Sequence, residues 1–121
     1  MVKNLILVFV GGGLGSMLRF LISKINYSNL NFPIGTLFVN ILGSFLIGLI
    51  IGYGLKNNNL NNPGFIFLTT GFCGGFTTFS AFSAESLEML NSGSYNHFFI
   101  YSSITIVVGI LFAFLGFSLT K

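Results

Sequence analysis

The chain has 121 residues, of which 53% are hydrophobic and only 6% are charged. An ordinary soluble domain carries roughly 25% charged residues, so this composition excludes one and indicates a protein embedded in a membrane. The net charge of +3 comes from five cations scattered near the ends of apolar stretches. That placement indicates anchoring at lipid headgroups rather than binding of nucleic acid.

Four apolar stretches follow one another along the chain, at about residues 5–25, 34–55, 65–90 and 98–119. Each has about the 20 residues that an α-helix needs to cross a ~30 Å hydrocarbon core. The connections are short and polar, which leaves no room for a soluble catalytic domain. The sequence therefore predicts a single all-α membrane domain over residues 1–121, with four transmembrane helices.

The distribution of positive charge bears on how the chain is oriented in the membrane. An even number of helices places both termini on one side, where Lys3, Lys56 and Lys121 then lie. Lys24, with Arg19 nearby, falls on the other side, so the excess of positive charge on one side is small. A small excess leaves the orientation poorly specified, and some small membrane proteins insert both ways round.

The first predicted helix carries small residues on one face. Gly11, Gly15 and Arg19 recur at four-residue spacing, which places them on the same face. Small residues at that spacing allow helix backbones to approach each other in lipid. The glycines do not form a dinucleotide-binding G-x-G-x-x-G pattern, because Ser16 occupies the sixth position. Arg19 has two interpretations: its side chain reaches the headgroups, or it attracts an anion at the mouth of a pore.

The second predicted helix carries a polar stripe made of Thr36, Asn40 and Ser44. A side-chain amide in a low-dielectric interior must find partners for two N–H donors and a carbonyl acceptor. Asn40 can find them in a neighbouring helix, which is a common use of Asn in membranes. Alternatively, its amide donates into an anion pathway. The residues alone leave both interpretations open.

The third predicted segment is longer than a single span requires, and Gly71, Gly74 and Gly75 lie near its middle. These glycines predict a break in the helix. A break exposes backbone carbonyls, which can hold a cation, and a helix N-terminus, which attracts an anion. Hydroxyl side chains follow the glycines, at Thr77, Thr78, Ser80 and Ser83.

Two phenylalanines and an acidic residue lie in the second half of this segment. Phe79 and Phe82 are three positions apart and share a face, and the positive edges of their rings could contact an anion. The alternative is that they only pack, as most of the 16 phenylalanines must. Glu85 is a candidate functional residue because an ionisable side chain is costly to place at membrane depth. It is expected to hydrogen-bond a pore-lining group or to titrate.

The fourth predicted helix places Tyr101, Thr105 and Gly109 at four-residue spacing, so they form one semi-polar stripe. The sequence has no pairing of a nucleophile with a base, and its single cysteine, Cys73, has no partner at metal-ligand spacing. It also lacks the G-x-x-x-x-G-K-[ST] loop that binds ATP. We therefore expect neither an enzyme nor an organic cofactor.

Taken together, these residues resemble the Fluc (CrcB) family of bacterial fluoride channels over essentially the whole chain. The similarity rests on the glycines and the arginine of helix 1 and on the helix 2 segments that begin at Gly35, Val39 and Gly43. Its most specific part is the run Gly-Phe-Cys-Gly-Gly-Phe-Thr-Thr-Phe-Ser with a later Ser-Ala-Glu, in residues 71–85. Two positions depart from the family: Phe20, where Tyr is common, and Gly109, where the last hydroxyl of a polar track is often found.

The resemblance implies a passive, electrogenic channel that exports fluoride across the bacterial cytoplasmic (inner) membrane. It implies an antiparallel, dual-topology homodimer in lipid, with two fluoride pores and a structural sodium ion at the dimer centre. The expected carbonyl donors to that sodium are Gly75 and Thr78. The expected pore residues are Arg19, Thr36, Asn40, Phe79, Ser80, Phe82, Ser83, Glu85, Tyr101 and Thr105.

Two rival functions remain. A proton-coupled exporter like the small multidrug-resistance transporters is also four-helix and dual-topology. That mechanism needs a carboxylate in a substrate pocket, typically in the first helix, and residues 5–25 contain none. A non-transporting membrane subunit that only packs against a partner explains the glycine stripes but leaves the polar run beside Glu85 without a purpose.

Overall fold

A computed structural model describes residues 1–24 and 32–121 of the chain. Within those ranges the structure is helical and contains no strand. In chain order the elements are α1 (Val2–Ser23), α2 (Ile34–Lys56), α3 (Pro63–Ile66), the π-helical segment π1 (Phe67–Cys73), α4 (Gly74–Phe76), α5 (Phe79–Asn91) and α6 (Tyr95–Thr120). The elements from α3 to α5 together make up the third span.

Four helical segments of the described chain are long and apolar enough to cross a membrane, with 22, 23, 29 and 26 residues. They are α1, α2, the third span and α6, so the prediction of an all-helical chain with four transmembrane segments is confirmed. The observed bounds extend three of the predicted helices at their N-terminal ends, since α1 begins at Val2, the third span at Pro63 and α6 at Tyr95. The predicted end of helix 1 at residue 25 lies outside the described residues.

The third span begins where its sequence signals a helix start. The side chain of Asn62 accepts a hydrogen bond from the Gly64 backbone N–H at 2.8 Å, and Pro63 occupies the first helical position. Proline is favoured there because that position has no intrahelical acceptor for its missing N–H. Asn62 satisfies one of the N–H groups that a helix start leaves without a partner.

Glycines bring α1 into close contact with the first half of the third span. Gly11 and Gly15 are both buried, and a Cβ added at Gly11 would lie 2.6 Å from the carbonyl oxygen of Phe67. A Cβ at Gly15 would overlap the carbonyl oxygen of Phe72, and one at Gly75 would overlap that of Gly12. The glycine face predicted for helix 1 is therefore the face that packs against a neighbouring backbone.

A second set of glycines joins α2 to α6. A Cβ at Gly48 would overlap the Ala113 carbonyl, and one at Gly116 would overlap the Phe45 carbonyl. Further along both helices, the hydroxyl of Thr120 donates to the Leu49 carbonyl at 2.9 Å. Contacts therefore advance in the same direction along α2 and α6, and these two helices pack side by side and parallel.

The third span is broken near its middle, but the break is not at the glycines. The helix ends at Phe76, and Thr77 (ψ 159°) and Thr78 (φ −151°, ψ 118°) are extended. Gly71 and Gly75 remain helical and serve the close approach to α1. The prediction of a break near the middle of the segment is therefore confirmed, but the break lies just after the glycines that suggested it.

This packing predicts that replacing two glycines of α1 by alanine has very different effects on the stability of the protein. Gly15→Ala should lower the free energy of unfolding by about 1–3 kcal/mol, because the new methyl group has only backbone atoms to displace. Gly13→Ala is the matched control, since nothing lies within 4 Å of a Cβ at that position. Unfolding of the purified variants in detergent, followed by circular dichroism, measures both. Equal stability of the two variants would contradict the proposed close packing.

Candidate functional site

The amide of Asn40 bridges α2 to the break in the third span. Its Nδ2 donates to the Thr78 carbonyl at 3.1 Å, and its Oδ1 accepts from the Thr78 backbone N–H at 2.7 Å. The interhelical hydrogen bond, one of the two interpretations of Asn40, is therefore present. A side-chain amide has two N–H donors, so the second remains without a partner among the described residues.

These bonds release two backbone carbonyls. In a continuous helix the Thr78 N–H would donate to the Gly74 carbonyl and the Ala81 N–H to the Thr77 carbonyl. Instead, Thr78 N–H donates to Asn40, and Ala81 N–H donates to the Thr78 hydroxyl at 3.1 Å. The carbonyls of Gly74 and Thr77 thus lose their helical partners at the depth of the break.

A groove of about 510 Å³ runs beside the break, between α2, the third span and α6. Its walls are mostly apolar. The residues that bring polar side chains to it are Asn40, Ser44, Thr69, Thr77, Thr78 and Thr105. Phe79 and Phe82 also line it, with their ring centroids 5.8 Å apart and their planes at 42°. Phe79 is 79% exposed in the single chain, so the groove is open along one side.

Glu85 is the centre of a second polar cluster. Its Oε1 accepts from the Thr36 hydroxyl at 2.6 Å, and its Oε2 accepts from the Tyr101 hydroxyl at 2.7 Å. Thr36 and Tyr101 are buried, with 2% and 0% of their surfaces exposed. The carboxylate therefore ties α5 to both α2 and α6. The ring of Phe82 lies against that of Tyr101, with centroids 5.2 Å apart, and so separates this cluster from the groove.

Arg19 ties α1 to the end of the first half of the third span. Its Nε donates to the Gly75 carbonyl at 3.0 Å, and the Ser16 hydroxyl donates to the same oxygen at 3.4 Å. This contact engages only Nε, so it leaves both interpretations of Arg19 open. It fixes the last helical turn before the break, and the side chain does not line the groove.

The structure thus separates the expected pore residues into groups. Those that line the groove are Asn40, Phe79, Phe82 and Thr105. Those that form the carboxylate cluster are Thr36, Glu85 and Tyr101. Ser80 and Ser83 lie on an exposed part of α5, where the Ser80 hydroxyl is 3.2 Å from that of Thr78.

Other groove residues were absent from the expected set. Ser44 lies one turn from Asn40, and its place in the polar stripe of helix 2 was the available signal. Thr69, Cys73 and Thr77 also line the groove, at four-residue spacing. The π-helical turn of π1 helps to decide which face of the third span these side chains occupy. Such a turn cannot be recognised from residue spacing that assumes an α-helix.

The bridge at the break predicts a large penalty for removing the Asn40 amide. Asn40→Ala removes the acceptor of the Thr78 N–H and one donor to its C=O in the membrane interior, so we expect a loss of about 2–4 kcal/mol in stability. Asn57→Ala is the matched control, because that amide also donates to a backbone carbonyl, at 2.9 Å, but at an exposed helix end. We expect the control to change stability by less than about 0.5 kcal/mol. Thermal unfolding in detergent compares them, and similar losses would argue against the bridge.

Comparison with known proteins agrees with the resemblance drawn from the sequence. The family model for "CrcB-like protein, Camphor Resistance (CrcB)" matches residues 6–117. A protein from Azobacteroides pseudotrichonymphae, named "Fluoride-specific ion channel FluC", is 45% identical over 100% of this chain and 98% of its own. Proteins of the same name from Phocaeicola vulgatus and Aquifex aeolicus are 51% and 44% identical, over 94% and 93% of this chain and 95% and 92% of their own. The chain therefore belongs to the CrcB family, whose members are ion channels and not enzymes.

Proposed function

We propose that this protein is a passive, fluoride-selective channel that lets fluoride leave the cytoplasm. The observation that carries the proposal is the groove at the break, where Asn40, Thr105, Phe79 and Phe82 come together. Fluoride is small and strongly hydrated, so a site that strips its water must return donors. The free N–H of Asn40, hydroxyl groups and the positive edges of the phenyl rings supply them. The names of the relatives point to the same ion.

A second copy of the chain is needed to close the groove. One small subunit with four helices can hardly enclose a pore by itself, and the side of the groove at Phe79 is open in one subunit. We propose an antiparallel homodimer with two pores. The small charge asymmetry supports insertion both ways round, because three lysines at one end face Arg19 and Lys24 at the other.

The remaining expected pore residues have roles along this route or beside it. Ser80 and Ser83 continue the line of hydroxyls along α5, and the cluster of Thr36, Glu85 and Tyr101 holds that helix in place. Because Tyr101 packs against Phe82, the cluster also orients one of the two rings. We assign Arg19 to attracting anions, since its charge lies one hydrogen bond from the break.

We also propose a structural sodium ion held by backbone carbonyls of the break. The sequence pointed to the carbonyls of Gly75 and Thr78, which in the single chain accept from Arg19 and Asn40. A carbonyl oxygen has two lone pairs, so one hydrogen bond leaves each of them able to contact a cation. The carbonyls of Gly74 and Thr77, which have lost their helical partners, are further candidate donors at the same break. When bound, the ion supplies fixed positive charge near the anion route.

The membrane potential provides the driving force for such a channel. A negative-inside potential favours the exit of an anion by about 2.3 kcal/mol per charge for each 100 mV. HF is a weak acid that enters from an acidic medium and ionises in the cytoplasm. A passive route out of the cell therefore lowers the concentration of fluoride in the cytoplasm. We therefore place the protein in the bacterial cytoplasmic membrane.

The direct test is fluoride efflux from liposomes that contain only this purified protein and are loaded with potassium fluoride. We expect rapid efflux at a fluoride electrode after addition of a potassium ionophore, and retention of chloride in matched vesicles. Dependence on the ionophore would identify electrogenic transport. Absence of efflux from folded, inserted protein would overturn the proposal, and proton-coupled flux of a lipophilic cation would favour the multidrug-type exporter instead.

The ring-edge role predicts that Phe82→Ile slows fluoride efflux by about tenfold or more, because a contact of ~1.4 kcal/mol is lost from the route. The control is Phe114→Ile, which removes an aromatic ring that is 62% exposed and lies outside the groove. We expect this control to conduct like the unmodified protein. Gel filtration checks that both variants keep the same oligomeric state. Unchanged efflux through Phe82→Ile would assign that ring to packing alone.

A further inference from the structure

Gly109 differs from the other buried glycines of α6 and α2. At Gly48 and Gly116 an added Cβ would overlap the backbone of a neighbouring helix. At Gly109 the nearest atom would be the hydroxyl oxygen of Ser44, at 3.7 Å, which is an ordinary contact. Helix packing therefore does not require a glycine at this position. The absence of a side chain at Gly109 leaves open space in front of the Ser44 hydroxyl.

Ser44 is placed to use that space. It lines the groove together with Asn40 and Gly109, and its hydroxyl donates to the Asn40 carbonyl at 2.7 Å. In an α-helix that carbonyl also accepts the backbone N–H of residue 44. The hydroxyl can therefore turn away from the carbonyl without leaving it unpaired.

The threonine hydroxyls of the groove are less free to turn. Thr69, Thr77 and Thr105 each donate to the carbonyl four residues earlier, at 2.8, 2.9 and 2.7 Å, and the Thr78 hydroxyl caps α5. A β-branched side chain is restricted at χ1 both in a helix and outside one, and each of these carries a methyl group. Serine has no methyl group to reposition. Ser44 is thus the groove hydroxyl that can most readily offer its proton to an ion.

We propose that Ser44 is an anion contact of the pathway and donates its O–H to fluoride in the space left by Gly109. The contact rests on the proposed fluoride conduction and extends it by a residue on α2. It follows Asn40 by one helical turn, so an ion that leaves the free N–H of Asn40 meets a second donor on the same helix. In this chain α2 then supplies the hydroxyl that α6 lacks at position 109.

The test compares fluoride efflux of the unmodified protein with that of Ser44→Ala in liposomes. Loss of the donor should slow efflux by about tenfold. Ser23→Ala is the matched control, because the Ser23 hydroxyl also donates to a carbonyl of its own helix, that of Phe20 at 2.8 Å, but lies in α1, outside the groove. This control should conduct at the unmodified rate.

A second pair of variants separates an ion contact from a structural role. Adding Gly109→Ser to Ser44→Ala returns a hydroxyl to the same space from α6 and should restore most of the efflux. Adding Gly109→Ala instead should not. Efflux through Ser44→Ala at the unmodified rate, or equal rescue by both second changes, would overturn this contact while leaving fluoride conduction intact. Absence of efflux from the unmodified protein would overturn both.

Discussion

The pair of hydrogen bonds between the Asn40 amide and Thr78 is the interaction on which the site depends. A helix that ends inside a membrane leaves N–H and C=O groups that water cannot reach, and each unsatisfied group costs several kcal/mol. Asn40 satisfies both backbone groups of Thr78, and the Thr78 hydroxyl then receives the first free N–H of α5. With these donors and acceptors paired, the chain can stop being helical for two residues and leave the carbonyls of Gly74 and Thr77 without their helical partners.

The two halves of the third span share α2 as a neighbour but differ in their other neighbours. The first half packs against α1, through glycine contacts and through the bond from Arg19 to the Gly75 carbonyl, and it also contacts α2. The second half is held by α2 and α6, through the carboxylate of Glu85. The geometry of the break therefore depends on how α1 and α6 sit on either side of α2, and Asn40 of α2 bonds the break itself.

The separation of the polar residues into a groove and a carboxylate cluster leaves one aromatic ring in contact with both. Phe82 stands between them and touches both, lining the groove on one side and packing on Tyr101 on the other. Phe82 therefore connects the carboxylate cluster to the groove by packing contacts. Phe79, which also lines the groove, is exposed in the single chain, so the groove is open on that side.

Much of the architecture could be predicted from the sequence, because the length of an apolar stretch and the spacing of residues on a helix are local properties. The four spans, the glycine face at Gly11 and Gly15, and the importance of Asn40 and residues 71–85 follow from such properties. The exact position of the break did not follow, because a glycine can either loosen its own helix or let a neighbouring helix pack closely. Which of the two applies depends on the neighbouring helix. Asn40 lies 38 residues from its partner Thr78, and Glu85 lies 49 and 16 residues from its partners Thr36 and Tyr101. Which backbone groups are paired and which face the groove was decided only by the tertiary structure, because hydrogen bonds join atoms that are close in space whatever their separation in sequence.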